Sequence, residues 1–264
     1  MDWSRAKTTF ILTFLLLNIF LGYQLNEKRE ASKISLILEA TLQERLSEMN
    51  ITIVADLHEE ELSWTYISGS PDISIDTLIA EKMVTQQIEA VNDETVVVIL
   101  KNPYSLNQVD RSIKSQAEMF VLENIIYGDE FRFSHYDESL KQIYFYQTFE
   151  GKKVDNYESG HLPLLLQLDK DLKIIHYEQD YLVFQPLQPP GREQQIFAST
   201  KAIEKLFNEQ LIPSDSEINK VELSYFSFFK PHGEVQVFAP MWNIKVNDQM
   251  YYVNAIDGAI QNIQ

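Results

Sequence analysis

The chain has no cysteine in its 264 residues, so there is no disulfide framework to read, and the absence leaves the compartment open. Glycine is scarce as well. With eight glycines there is no G-x-G-x-x-G, no phosphate loop and no G-x-S-x-G, so a backbone cradle for phosphate is hard to find. Positive charge is also in deficit: 22 Lys and Arg stand against 39 Asp and Glu, a net charge of −17. That surface repels nucleic-acid phosphates and anionic headgroups, which excludes DNA and RNA as partners. The five histidines, His58, His135, His161, His176 and His232, show no metal-ligand spacing. "HEEEL" opens like the zinc-protease H-E-x-x-H helix, but Leu62 stands where the second imidazole is needed. "LDKDL" opens like a calcium loop and then lacks the glycine and the closing bidentate Glu, since Ile174 and Asp180 occupy those positions. Both read as turns.

What is present is concentrated first at the start. From Thr8 to Asn26 no ionisable group occurs apart from the Tyr23 phenol. As a helix at about 1.5 Å per residue, such a run just crosses a thin bilayer. No A-x-A cleavage pattern follows its apolar core, so a retained anchor is expected over residues 1–26 rather than a cleaved leader. Trp3 and Tyr23 bracket the run as membrane-interface anchors. Lys and Arg flank it on both sides; the short cationic start suggests a cytoplasmic N-terminus and an extracellular remainder. Ile34, Ile37, Leu38, Leu42, Leu46 and Met49 then recur at helical spacing, which predicts an amphipathic linker helix over 27–50.

The remainder reads as α+β, an antiparallel sheet with a covering helix in each of two domains, 51–186 and 187–264. "ITIVADLHEEELSWTYISG" reads as two strands about an acidic turn, and "SIDTLIAEKMVTQQIEAV" as a helix capped by Ser74. "ETVVVILKN" predicts a buried strand closed by Pro103. From there, helix, strand pair and hairpin follow in order. After the Pro-rich "PLQPPGRE" the same order returns about 80 residues on, so that "YFYQTFEGKKV" aligns with "YFSFFKPHGEV". Asn247 and Asp248 in "VNDQM" mark a tight hairpin turn.

"MDWSRAKTTFILTFLLLNIFLGYQL" resembles the N-terminus of the YycI (WalI) family, through Asp2-Trp3-Ser4, the Lys7 flank and the Asn18-Ile19-Phe20-Leu21 tract. "APMWNIKVNDQMYYVNAIDGAI" is similar to the Trp-containing hairpin of PepSY-type modules. The resemblance implies a non-enzymatic, membrane-anchored regulator of two-component signalling in Gram-positive bacteria, with two PepSY-like, YycH-like domains and no cofactor. It implies as partners a YycH-like protein and the sensor histidine kinase WalK (YycG), gripped through the transmembrane helix, with cell-wall metabolism as the output. It carries over no active-site residue. In that frame Thr9, Thr13, Asn18 and Gly22 are the candidate partner contacts in the membrane, lying broadly along one side of the helix. Two rival readings remain: an anchored cell-envelope hydrolase using paired carboxylates, and a PepSY-like inhibitor of a secreted protease.

Overall fold

The computed structural model describes residues 3–57, 63–71, 87–90, 95–106, 112–156, 162–189, 192, 194–228 and 235–262. The expected acidic turn at His58–Glu61, the Ser74 cap, His161 and His232 lie outside them.

Helix α1 (Trp3–Glu48) runs without a break through both the apolar run and the amphipathic stretch. No proline occurs within it, so nothing removes a backbone donor along its length, about 69 Å. It stops at Asn50, whose φ of +56° turns the chain left-handed. From 10 to 25 its side chains are exposed, Phe10 77% and Leu21 50%. That run rises only about 24 Å, against a hydrocarbon core of about 30 Å. Among the described residues, no helix is long and apolar enough to cross a membrane.

The first sheet unit starts from β4 (Gln87–Ala90) and β5 (Thr95–Ser105). Helix α2 (Ile113–Asn124) follows, with the Ser112 hydroxyl capping it by accepting from the Ser115 N–H. Then come β6 (Phe131–Asp137), β7 (Gln142–Phe149), β9 (Leu164–Leu168) and β10 (Lys173–Asp180), all paired antiparallel in the order β6-β7-β9-β10-β5-β4. Alternation aligns the apolar positions across strands: Ile143 faces Leu166, Leu166 faces Tyr177, and Tyr177 faces Val98. These four have no exposure and pack under Ala117, Phe120 and Val121 of α2. Full burial of each aliphatic side chain is worth about 1.5–3 kcal/mol.

The second unit repeats the plan. Helix α3 (Ser199–Asn208) precedes β13 (Glu217–Ser227), β14 (Gln236–Val246), β15 (Gln249–Asn254) and β16 (Ile260–Asn262), antiparallel in succession. The β14–β15 turn sits at Asn247–Asp248 as expected, with Asn247 at φ +53°. This unit is not made from the C-terminal residues alone. Short β1 (Thr52–Ile53) pairs parallel with β13, β2 (Ser63–Trp64) pairs antiparallel with β12 (Gln194–Gln195), and β3 (Ile67–Pro71) pairs with β14 and with β11 (Leu182–Pro186). Its core joins Leu42 and Leu46 of α1, Trp64 and Ile67 to Ala202, Ile203, Leu206, Tyr225, Trp242 and Val253. Packing therefore groups Leu42, Leu46, Ile51, Trp64 and Ile67 with the C-terminal strands, across the expected division at 186.

Short β8 (Lys152–Asn156) joins the units, antiparallel to β7 and parallel to β13. The sheet then curls round until β11 meets β7 again. There the Gln147 amide accepts from the Leu182 N–H (3.1 Å) and donates to the Leu182 carbonyl (2.8 Å), acting as one rung of a missing ladder. Inside the curl, Phe149 packs edge-on to Phe184, and Phe184 to Phe238. Gly69 is what admits them, since a Cβ there would lie 2.9 Å from the Phe184 ring.

Two local expectations are corrected. The strand expected to close at Pro103 runs on to Ser105, because its pairing with β10 slips between Ile99–His176 and Tyr104–Ile174. That bulge houses Pro103 where no ladder N–H is required. The last residues of the expected 74–91 helix, 87–90, are instead β4, since the edge of β5 offers a full row of backbone partners.

Candidate functional site

α1 carries the residues singled out in the sequence. Trp3 and Tyr23 are 82% and 68% exposed and sit twenty residues apart, about 30 Å along the axis. The Asn18 amide donates to the Phe14 carbonyl one turn back at 2.8 Å, so its N–H is paired within the helix itself. A side chain added at Gly22 would meet nothing within 4 Å, and Thr13 is exposed. The side chain of Thr9 is not among those described. The continuous helix corrects the expected common side. At about 100° per residue, Thr9 and Thr13 form one stripe, and Asn18 and Gly22 form another about 140–180° away. The helix presents two separate polar stripes.

The other end of α1 is fastened to the second unit. Leu42 and Leu46 are 5% and 1% exposed in its core. Between them in sequence, the Arg45 guanidinium donates to Asn208 Oδ1 at 2.9 Å and lies 4.6 Å over the Phe207 ring. One turn on, the Asn50 amide donates to Asp215 Oδ1 (2.6 Å), and the Asp215 N–H donates to the Met49 carbonyl (3.0 Å). Thr52 then donates to the Ser216 carbonyl and opens β1. Helix α3, the start of β13 and the end of α1 thus hold one another through apolar burial, an aromatic stack and main-chain bonds.

The seam between the units is charged. Lys153 on β8 lies 2.9 Å from Asp155 and 3.7 Å from Glu222 of β13, and Lys220 lies 2.9 Å from the same Glu222 oxygen. The Lys153 ammonium also sits 5.4 Å over the Tyr146 ring of β7. Burial alone would lower the Lys153 pKa; Asp155 and Glu222 outweigh it and raise it above the ordinary lysine value. Burial likewise pushes the Glu222 carboxyl up, but Lys153 and Lys220 pull it below its ordinary value. Beside them the buried Asn243 amide donates to Ser224 Oγ at 2.7 Å. None of this seam is visible in local sequence pattern, because Lys153 and Glu222 are brought together by a parallel pairing of distant strands.

Elsewhere the chemistry is spare. His135 stacks on Tyr144, and His176 stands 3.8 Å from Glu178. A cavity of about 30 Å³ beside Thr95, Tyr144, Leu165, Glu178 and Asp180 has room for one or two waters. Asp169, in the sequence that opens like a calcium loop, instead accepts the N–H groups of Asp171 and Lys173 and closes the β9–β10 turn. Among the described residues no group of three or more His, Cys, Asp or Glu is placed to hold a metal ion.

The family model described as YycI protein matches residues 30–256. No curated protein matches the chain. Among solved structures, a crystal structure of an uncharacterized protein from Eubacterium rectale superposes with a TM-score of 0.50 at 10% identity. It covers 81% of this chain and 91% of its own, a likeness that speaks for the mixed α+β fold alone.

Proposed function

The chain belongs to the YycI family, a regulatory family of the YycFG/WalRK two-component system, and from that premise we propose that it acts as a membrane-anchored regulator. In this reading the apolar part of α1 lies in the bilayer, and the sheet units stand outside the cell. The observation that carries it is the helix itself. Its exposed apolar run is extended at both ends by helical backbone, and Trp3 and Tyr23 stand about 30 Å apart, matching the hydrocarbon thickness. Sixteen exposed, uncharged positions in a row, 10 to 25, present an apolar surface that lipid or other helices would stabilise.

Within lipid, the partners are the sensor kinase WalK (YycG) and a YycH-like protein. Apolar burial does not discriminate between helices there, so the polar stripes provide what specificity exists. Asn18 is the strongest contact: its N–H is paired in the helix, and its amide still carries acceptor capacity that lipid cannot meet. The hydrolase alternative calls for a carboxyl held protonated by its surroundings. Among the described residues two carboxyls have displaced pKa values, Asp137 and Glu222, and both are lowered, which supports the regulatory reading.

The test is isolation of the full chain from membranes with whatever accompanies it. Recovery of the kinase, weakened by Asn18→Leu while the chain stays in the membrane fraction, is the expected result. Replacing residues 3–25 with an unrelated spanning helix should abolish regulation. Regulation that survives the swap would overturn the reading.

A further inference from the structure

The way α1 is attached carries a consequence beyond anchoring. The helix leaves the apolar segment, passes residues 26–41 as unbroken helical backbone, and ends inside the core of the second unit. It does not end against the first unit, which follows it more closely in sequence. Its last two turns are held from three directions: Leu42 and Leu46 from below, Asn208 and Phe207 of α3 through Arg45, and the Asp215–Ser216 lead into β13 through Met49, Asn50 and Thr52. A helix fixed in this way cannot swivel about its own axis without breaking those contacts, and no proline interrupts it to absorb a turn.

We infer that α1 is a single shaft keyed to the second unit, so that rotation or displacement of that unit is delivered as rotation or displacement of the apolar segment. The inference rests on the reading that this segment works beside a partner in the membrane. Among the described residues the first unit joins the second through β8, the Lys153–Glu222 seam and the Gln147–Leu182 bonds, and the second holds the shaft. A ligand or protein engaging the outer units therefore acts on the membrane through the orientation of α3 and β13. Opposite polar stripes make the segment sensitive to such a turn, since each part-turn shows a different stripe to a fixed neighbour.

Helix phase is the test. One, two, three or four alanines are inserted after Ala31 in the full chain, and separately a four-glycine insertion at the same place. Each alanine turns the segment by about 100° and extends it by about 1.5 Å. Two residues thus reverse the face presented, and four nearly restore it. The readout is transcription of the genes under the two-component pair, with membrane retention and the thermal midpoint of the sheet units measured alongside. The expected pattern is loss with two alanines, recovery with four, and loss with four glycines although length is the same. Equal output from all insertions, or equal loss from all of them, overturns the shaft. Deletion of residues 3–25 behind a secretion leader separates the two claims. If output survives that deletion, the membrane reading falls and the shaft with it; if output is lost there but indifferent to phase and to glycine, the shaft alone falls.

Discussion

The two sheet units follow one plan, a helix and then four antiparallel strands, yet only the first builds its core from one continuous stretch of chain. Its buried residues run from Val96 to Tyr181, and its strands pair largely with neighbours in sequence. The second draws on α1, β1 and β3, which the whole first unit separates from its own strands, and on β11, which follows the first unit. The difference lies in what surrounds each sheet. The first uses its own β6 as the outer neighbour of β7, whereas β13 takes β1 and β8 in parallel along that edge. A repeated motif has been given two jobs: one copy is self-sufficient, and the other serves as the socket that holds the rest together.

Core truncation tests that contrast most severely. Trp242→Ala and Phe145→Ala each remove a buried aromatic, at about 3–5 kcal/mol. Hydrogen exchange at residues 42–48 should rise sharply in Trp242→Ala, whose indole also donates to the Phe197 carbonyl, and stay protected in Phe145→Ala. Equal loss of protection in both would show one cooperative body instead of a socket and an appendage. A smaller effect is expected from Gln147→Leu, which removes the side-chain partner of the half-buried Leu182 N–H and carbonyl at about 1 kcal/mol each. A lowered urea midpoint with an unchanged first-unit core is the expected outcome; no change would mean that solvent already serves Leu182.

Smaller again is the seam. The Glu222 pKa is lowered on folding, so its contribution is present above the unfolded value of about 4.5 and fades as pH falls through the folded value. The Lys153 pKa is raised, so its contribution holds below its unfolded value of about 10.5 and fades as pH climbs through the folded one. Partial exposure limits the pair to about 1 kcal/mol. Glu222→Gln should flatten the acid limb of stability against pH, and an unaltered limb would remove Glu222 from the seam. Least of all, Arg45→Ala should cost about 0.5–1 kcal/mol, since it breaks one exposed bond and one stacking contact.

Much of this was legible in the residues, wherever the determining contacts are local. Leu42 and Leu46 at helical spacing and the Asn-Asp turn at 247 each declare themselves within a few positions. The resemblance of the opening 25 residues identified the family that the match over 30–256 shows. What stayed hidden depends on distant partners. Residues 87–90 read as helix until β5 supplies an edge, and Pro103 reads as a stop until a slip against β10 gives it a bulge. Lys153 and Gln147 look like ordinary strand polars, because Glu222 and Leu182 are 69 and 35 positions away. The polar stripes on α1 failed for a plainer reason: five residues are about 1.4 turns rather than a whole number, so Asn18 falls on the far side from Thr13.

The pairing of β3 with β14 also sets a timetable. Ile67 and Phe238 face each other across that ladder, and at about 5–20 residues per second the later one emerges from the ribosome roughly ten to thirty seconds after the earlier. Throughout that interval the first module has everything it needs to mature, while the ribbon ahead of it waits with an unmated edge. The protein is thus assembled from the middle outward, and the last strands to be made are the ones that close the circle.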